Sequence, residues 1–211
     1  MNLLITGFEP FAGSTTNPSH CAALALAVRP PEGVRLHTAI LPVDSQGGPD
    51  ALLKALDEHR PDAVICLGEA GRRARISIER VAVNLMDYAI PDNQGRLAVD
   101  EPIVPGGPAA YFATLPVKRM LESVRAAGVP AELSLSAGAY LCNQVMYILL
   151  HHLAENQLPV PAGFIHLPYL PEQAVQPPLS EMGPLPSMGL ETAVRGLSAG
   201  IAALYAESHT G

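Results

Sequence analysis

The sequence predicts an α/β fold built on a largely parallel sheet, and three observations carry the prediction. Short, almost unbroken apolar runs alternate with helix-spaced apolar patterns along the whole chain. Two of the runs close on glycine, at Gly7 and Gly68, and no internal repeat or second composition regime interrupts the alternation. The 211 residues suit one domain, 1–211, large enough to bury a substantial core.

Each element follows from its pattern. "NLLIT" is a buried strand closed by Gly7. "GFEPFAGSTTNPS" is a loop, and its Asn17-Pro18-Ser19 end is a plausible cap for the helix "HCAALALAV". "GVRLHTAILPV" gives a second strand, "GPDALLKALDEHRP" a helix, and "DAVICLG" another buried strand ending at Gly68. "ARISIERVAVNLM" alternates apolar with polar residues, which predicts a more exposed strand or hairpin. The Pro/Gly-rich stretch from Tyr88 to Pro116 reads as an excursion with short strands of its own, a length that usually signals function. "VKRMLESVRAAG" is helical, "AELSLS" a strand, "YLCNQVMYILLHHLAEN" a long helix and "VPAGFIHLPYLP" a strand interrupted by prolines. After a Pro-rich connector at 171–186, "GLETAVRGLSAGIAALYAES" supplies the last helix. In such a fold, sites are expected at the carboxyl ends of strands.

Composition removes several function classes. The net charge is −7 and "GRRAR" (71–75) is the only basic cluster, so no basic stripe exists for nucleic acid. No apolar run approaches the length of a membrane span, and the N-terminus reads directly as a first strand and not as a signal peptide. The three cysteines, Cys21, Cys66 and Cys142, are odd in number and widely spaced without a CxxC, which argues for reduced thiols and a cytoplasmic location. Charged residues make up 16%, below the roughly 25% of ordinary domains. Burial of part of the exterior in a homo-oligomer explains that figure, and an Ala- and Pro-rich composition explains it equally well.

Cys142 stands where the strand "AELSLS" hands over to a helix. Backbone N–H groups in the first turn of a helix favour an anion, so a thiol there is expected to have a lowered pKa. The same groups can receive the oxyanion of a tetrahedral intermediate. Cys66, inside "DAVICLG", and Cys21, in an Ala-rich helix, read as core. A cysteine nucleophile needs a base and a group to orient that base. Of the seven histidines, His151 and His152 lie too far along the helix from Cys142, whereas His166 ends the apolar run "AGFI". In a parallel sheet, that end shares an edge with Cys142. Glu79, a carboxylate interrupting "RISIERVAVN", is the candidate orienting acid; a solvated strand glutamate, or one paired with Arg80, is its bland alternative.

The runs "GFEPFAGSTTNPS", "LGEAGRRARISIERVAVN", "IPDNQG", "SAGAYLCN" and "FIHLPYLPEQ" resemble, in that order, the pyroglutamyl peptidase I family of C15-type cysteine peptidases, up to about residue 173. The resemblance implies a single α/β domain whose twisted, mixed sheet carries helices on both faces, commonly assembled as a homotetramer. It implies no metal or organic cofactor. Its Glu–Cys–His triad falls on Glu79, Cys142 and His166. The reaction implied is removal of an N-terminal pyroglutamyl residue from peptides through an acyl-enzyme on Cys142. The resemblance places the first loop, with Phe8 and Phe11, over the lactam ring, and Ile90, Tyr140, Leu141 and Val145 as further walls.

Three positions depart from the family's usual pattern. Relatives often read "GFxPFGG", and Ala12 stands at the first of the paired glycines. Many carry glutamine ahead of "AGGR", where this chain has Glu69 and then Arg72. A main-chain contact at that position would leave Glu69 harmless; a side-chain contact would set a charge against the lactam. Many also have arginine before "IPDN", credited with helping the oxyanion, at the position of Ala89; Arg72 and Arg75 are the candidate substitutes. Two other functions remain compatible with the residues: a non-catalytic binding protein on the same fold, and an amidohydrolase acting on another cyclic amide.

Overall fold

The computed structural model describes residues 1–177 and 183–205, the side chain of Tyr205 excepted. Part of the expected connector, the last residues of the expected C-terminal helix (206–208) and His209 lie outside the described residues. Six strands form the main sheet: β1 (Asn2–Phe8), β2 (Arg35–Leu41), β3 (Ala63–Glu69), β4 (Ile76–Glu79), β7 (Ala131–Ser134) and β8 (Ala162–Leu167). Their spatial order is β2-β1-β3-β8-β4-β7. The first four in that order run parallel. β4 runs antiparallel to β8, and β7 runs parallel to β4, so the sheet is mixed. Two short strands, β5 (Val81–Val83) and β6 (Ala110–Phe112), pair apart from it.

Alternation along the strands divides the core between two faces. Leu3, Ile5, Ile65, Leu67, Ile165 and Leu167 join one cluster. Helices α1 (Pro18–Val28), α3 (Val117–Ala126) and α6 (Leu190–Tyr205), the last preceded by the one-turn α5 (Pro171–Ala174), close over it, contributing Leu26, Met120 and Leu197 among others. Leu4, Val64, Cys66, Ala162 and Phe164 point the other way, under α2 (Gly47–His59) and α4 (Leu141–Glu155). Strands covered on both faces need apolar side chains at successive positions, which is why β1, β3 and β8 read as continuous apolar runs. The expected cap of α1 forms: Asn17 Oδ1 accepts from Ser19 N at 3.0 Å and from Ser19 Oγ at 2.7 Å. Gly7 allows this close approach, since a Cβ there would lie 2.5 Å from the Ser19 carbonyl oxygen.

Two expectations need correction. β4 is not an exposed strand; all four of its residues are buried between β8 and β7. Its alternation is real, but the polar residues face the α4 side and are paired there. Ser77 donates to Glu132 at 3.1 Å, while Glu79 meets His166. The second correction concerns why Cys142 and His166 share an edge. β7, which precedes the cysteine, runs antiparallel to β8, so its carboxyl end is not at that edge. The helix brings the cysteine there instead. α4 has 15 residues and rises about 22 Å, at about 1.5 Å each. It feeds β8, whose 6 residues span about 20 Å. The helix therefore retraces the length of the strand, and its first turn stands over the carboxyl end.

Candidate active site

Cys142 is the second residue of α4. Its sulfur rests where β3 lacks a side chain: a Cβ at Gly68 would lie 2.9 Å from Cys142 Sγ and 2.6 Å from Phe164 Cζ. Gly68 is in register with His166 on the neighbouring strand β8. The alternation that puts Phe164 on the α4 face puts His166 there too, two residues on. Cys142 and His166 accordingly line the same cavity, with Phe8 and Phe11 from the end of β1 and the first loop, and Glu69 from the end of β3. The cavity thus opens at the carboxyl edge where β1 connects to neighbours on both sides, as ligand sites in open α/β sheets do.

Behind the imidazole, His166 Nδ1 stands 2.8 Å from Glu79 Oε1. Glu79 is fully buried, and the same oxygen accepts from Arg73 Nη1 at 2.6 Å. A proton on Nδ1 serves that contact and leaves Nε2 as the ring's acceptor. Burial by itself would raise the Glu79 carboxyl, but His166, Ser134 and Arg73 together hold it below the usual carboxylate range. Burial pulls His166 below the usual imidazole range, helped by Arg73 and opposed by Glu79.

The thiol departs from expectation. Burial, reinforced by the charges of Glu69 and Glu79, pushes Cys142 up to about 12, with Arg73 acting in the opposite direction. Burial first, and then the two carboxylates, work against the lowering expected of a helix start. What the helix start does supply is donors. The N–H groups of Leu141, Cys142 and Asn143 have no intrahelical acceptor, and no side chain caps them. A thiol, an imidazole backed by a carboxylate, and a set of unpaired N–H groups are the parts that acyl transfer requires.

Of the remaining predicted positions, Tyr140 and Leu141 line the cavity, whereas Ile90 and Val145 do not. Val145 is one turn further along α4 and points into the core with no exposure. Ile90 is turned outward, 41% exposed, because the loop around it is held from other directions. Asp92 Oδ2 accepts from Ser45 N at 3.0 Å, and Asn93 Nδ2 donates to the carbonyl of Pro10 at 3.2 Å. That loop still reaches the cavity indirectly, since Tyr140 donates to the Pro91 carbonyl at 3.2 Å. Glu69 Oε2 accepts from Gln173 Nε2 at 2.8 Å, and burial raises its carboxyl pKa despite that bond.

The departures also acquire positions. Ala12 adopts φ 51, the left-handed conformation that suits glycine and costs other residues about 1–2 kcal/mol. Ala89 is exposed and outside the cavity lining. Arg72 is exposed as well, and Arg75 pairs with Glu132 at 3.6 Å. The arginine in the cavity wall is Arg73, which the basic cluster "GRRAR" contained without distinguishing it from its neighbours. Asn143 was equally illegible. It is buried, accepts from Val83 N at 2.9 Å, and donates to the carbonyls of Val83 and Leu85 at 2.9 and 3.0 Å. Those bonds fasten the first turn of α4 to β5. Among the described residues, no group of three or more His, Cys, Asp or Glu side chains could hold a metal ion. No described helix is long and apolar enough to cross a membrane.

The sequence profile of the pyroglutamyl peptidase family matches residues 1–207. A pyrrolidone-carboxylate peptidase of Gloeobacter violaceus is 50% identical over 209 residues, 99% of this chain and 99% of that protein. Among solved structures, a mutant pyrrolidone carboxyl peptidase from Pyrococcus furiosus superposes with a TM-score of 0.93 at 42% identity, covering 98% of this chain and 99% of the other. Pyroglutamyl peptidase I from Bacillus amyloliquefaciens does so with a TM-score of 0.90 at 37% identity, covering 97% of both chains. With a profile match over nearly its whole length and a relative sharing half its residues, the chain belongs to the pyroglutamyl peptidase family of cysteine peptidases.

Proposed function

We propose that the chain hydrolyses N-terminal pyroglutamyl residues from peptides through an acyl-enzyme on Cys142, with His166 as general base and acid and Glu79 as the group that orients it. The activity goes with the family; the assignment of atoms rests on the shared cavity of Cys142 and His166 and on the 2.8 Å contact between His166 Nδ1 and Glu79 Oε1. His166 Nε2 takes the Cys142 proton as the sulfur bonds to the carbonyl carbon. The carbonyl oxygen becomes an oxyanion, which the Cys142 N–H at the start of α4 receives. The carbon–nitrogen bond breaks, and the departing amine takes the proton from His166. Water then gives a proton to His166 and its oxygen to the carbonyl carbon, releasing pyroglutamate and returning the proton to sulfur. The ionised Glu79 stabilises the imidazolium in both halves.

The lactam ring is flat and uncharged, and a cavity walled by Phe8, Phe11, Tyr140 and Leu141 suits it. Replacing Cys142 by Ala is expected to abolish release of pyroglutamate from a chromogenic amide, whereas Cys66→Ser leaves it mostly intact. Undiminished turnover by Cys142→Ala overturns the mechanism. A homotetramer fits the low charge content and the exposed apolar side chains of Phe112 and Leu135; light scattering tests it. A cytoplasmic location fits three free cysteines, because an oxidising compartment would threaten them; cell fractionation tests that.

A further inference from the structure

The guanidinium of Arg73 touches three parts of the site at once. Nη1 donates to Glu79 Oε1 at 2.6 Å, Nη2 donates to the Ser136 carbonyl at 2.8 Å, and the side chain lines the cavity. Ser136 lies in the segment between β7 and Tyr140, the residue that precedes α4, so this second bond ties the triad acid to the loop that delivers the cysteine. Two acceptors in two different segments use the planar fork of arginine in a way that the single ammonium of lysine does not reproduce. Among the described residues, no other lysine or arginine lines the cavity.

We propose that Arg73 is a positioning residue for the acyl-transfer reaction, clamping Glu79 against His166, fixing the approach of the Cys142 loop, and supplying the cation that offsets the acidic side chains around the sulfur. The proposal rests on Cys142 being the nucleophile. Around that sulfur stand Glu69 and Cys66 of β3, Glu79 of β4, Tyr140 ahead of α4, and Arg73; His166 of β8 is faced by Glu79 and Arg73. All the acidic groups in this set disfavour a thiolate. Among these side chains Arg73 is the one that favours it, alongside the N–H groups of the helix start. It also favours the neutral form of His166, the form that accepts the proton. Position 89, which carries arginine in many relatives, cannot supply this charge in the present chain, since Ala89 stands exposed outside the lining.

The test compares Arg73→Met and Arg73→Lys with the parent, each first checked for a cooperative thermal melt. For Arg73→Met, kcat on a pyroglutamyl amide is expected to fall about ten- to a hundredfold with little change in KM, since the clamp acts on the reacting groups and not on the lactam. Its acid limb of kcat/KM moves to higher pH as His166 loses a repelling neighbour. At a fixed pH of about 8, alkylation of Cys142 by iodoacetamide, followed by mass spectrometry of the peptide, slows about tenfold. Arg73→Lys restores the alkylation rate, because the charge remains, and only part of kcat, because one acceptor is lost. A folded Arg73→Met protein that keeps the parent's alkylation rate and acid limb overturns the proposal. If Arg73→Met does not fold, Arg73→Lys decides alone: full kcat overturns the two-acceptor clamp, and reduced kcat at unchanged alkylation supports it. Alkylation reads the sulfur directly, so it separates failure of this proposal from failure of the nucleophile assignment, which Cys142→Ala reports.

Discussion

Gly68 offers the sharpest perturbation, because a single added methyl group meets both the site and its support. A Cβ at that position would approach Phe164 Cζ to 2.6 Å, Phe164 Cε1 to 2.8 Å and Cys142 Sγ to 2.9 Å. Carbon–carbon contacts are optimal at about 3.5–4.0 Å, so the overlap with the ring is close to 1 Å. Phe164 is fully buried and cannot swing away. The methyl therefore displaces packed atoms, at a cost of about 1–3 kcal/mol. For a chain of this size, that lowers the melting temperature by about 2–12 °C. A shift of about 1 Å at the sulfur costs about a hundredfold in turnover. Gly163→Ala is the matched control: its Cβ would meet Leu115 Cδ1 at 2.7 Å, but on the opposite face of the sheet. Melting curves and hydrolysis of a pyroglutamyl chromogenic amide are measured for both. Comparable destabilisation with a selective loss of kcat in Gly68→Ala is the expected result. Parent-like kcat in Gly68→Ala, measured on folded protein, refutes the claim that the empty position at 68 seats the sulfur.

Two further outcomes follow from buried polar groups. Asn143→Ala leaves the Val83 N–H and the carbonyls of Val83 and Leu85 without their partner. A loss of about 2–4 kcal/mol in urea unfolding is expected, with reduced turnover in the folded fraction because α4 loses its tie to β5. Burial also raises Cys66 to about 12, with the neighbouring Thr6 hydroxyl acting in the opposite direction. A group raised in the folded state contributes stability below its unfolded pKa and loses it as pH climbs toward the folded value. Stability should therefore decline above about pH 8.5, by up to ~1.4 kcal/mol per unit for this thiol. Cys66→Ala should make that decline shallower by this thiol's share while leaving the share of Cys142, as read from unfolding free energies between about pH 8.5 and 10.5.

The order of strands and helices, the cap at Asn17 and the candidacy of Cys142 and His166 are legible in the residues alone, whereas Glu79 joins them only through the family resemblance. Those features are local or chemical: an apolar period announces its element, and a cysteine at a strand–helix junction announces itself. The direction of β4 and β7 was not legible, because an antiparallel strand inside a mixed sheet carries the same period of two as an exposed one. The polar positions of β4, Glu79 and Ser77, carry no sign of their burial for that reason. Their partners, His166 and Glu132, are supplied from strands 87 and 55 residues away. The direction of the Cys142 shift is not legible either, because a helix start is a local feature, whereas burial of the sulfur and the approach of Glu69 and Glu79 arise only through tertiary packing.

Sequence by itself determined which residue types could perform acyl transfer and which family they belong with, since chemistry and local periodicity are properties of the chain. Tertiary structure decided which of three neighbouring arginines enters the cavity, why Ile90 and Val145 stay out of it, and how a helix as long as its strand carries the sulfur back to the cavity that His166 lines. Those are outcomes of side chains competing for space and charge across distant segments, and no single segment contains them.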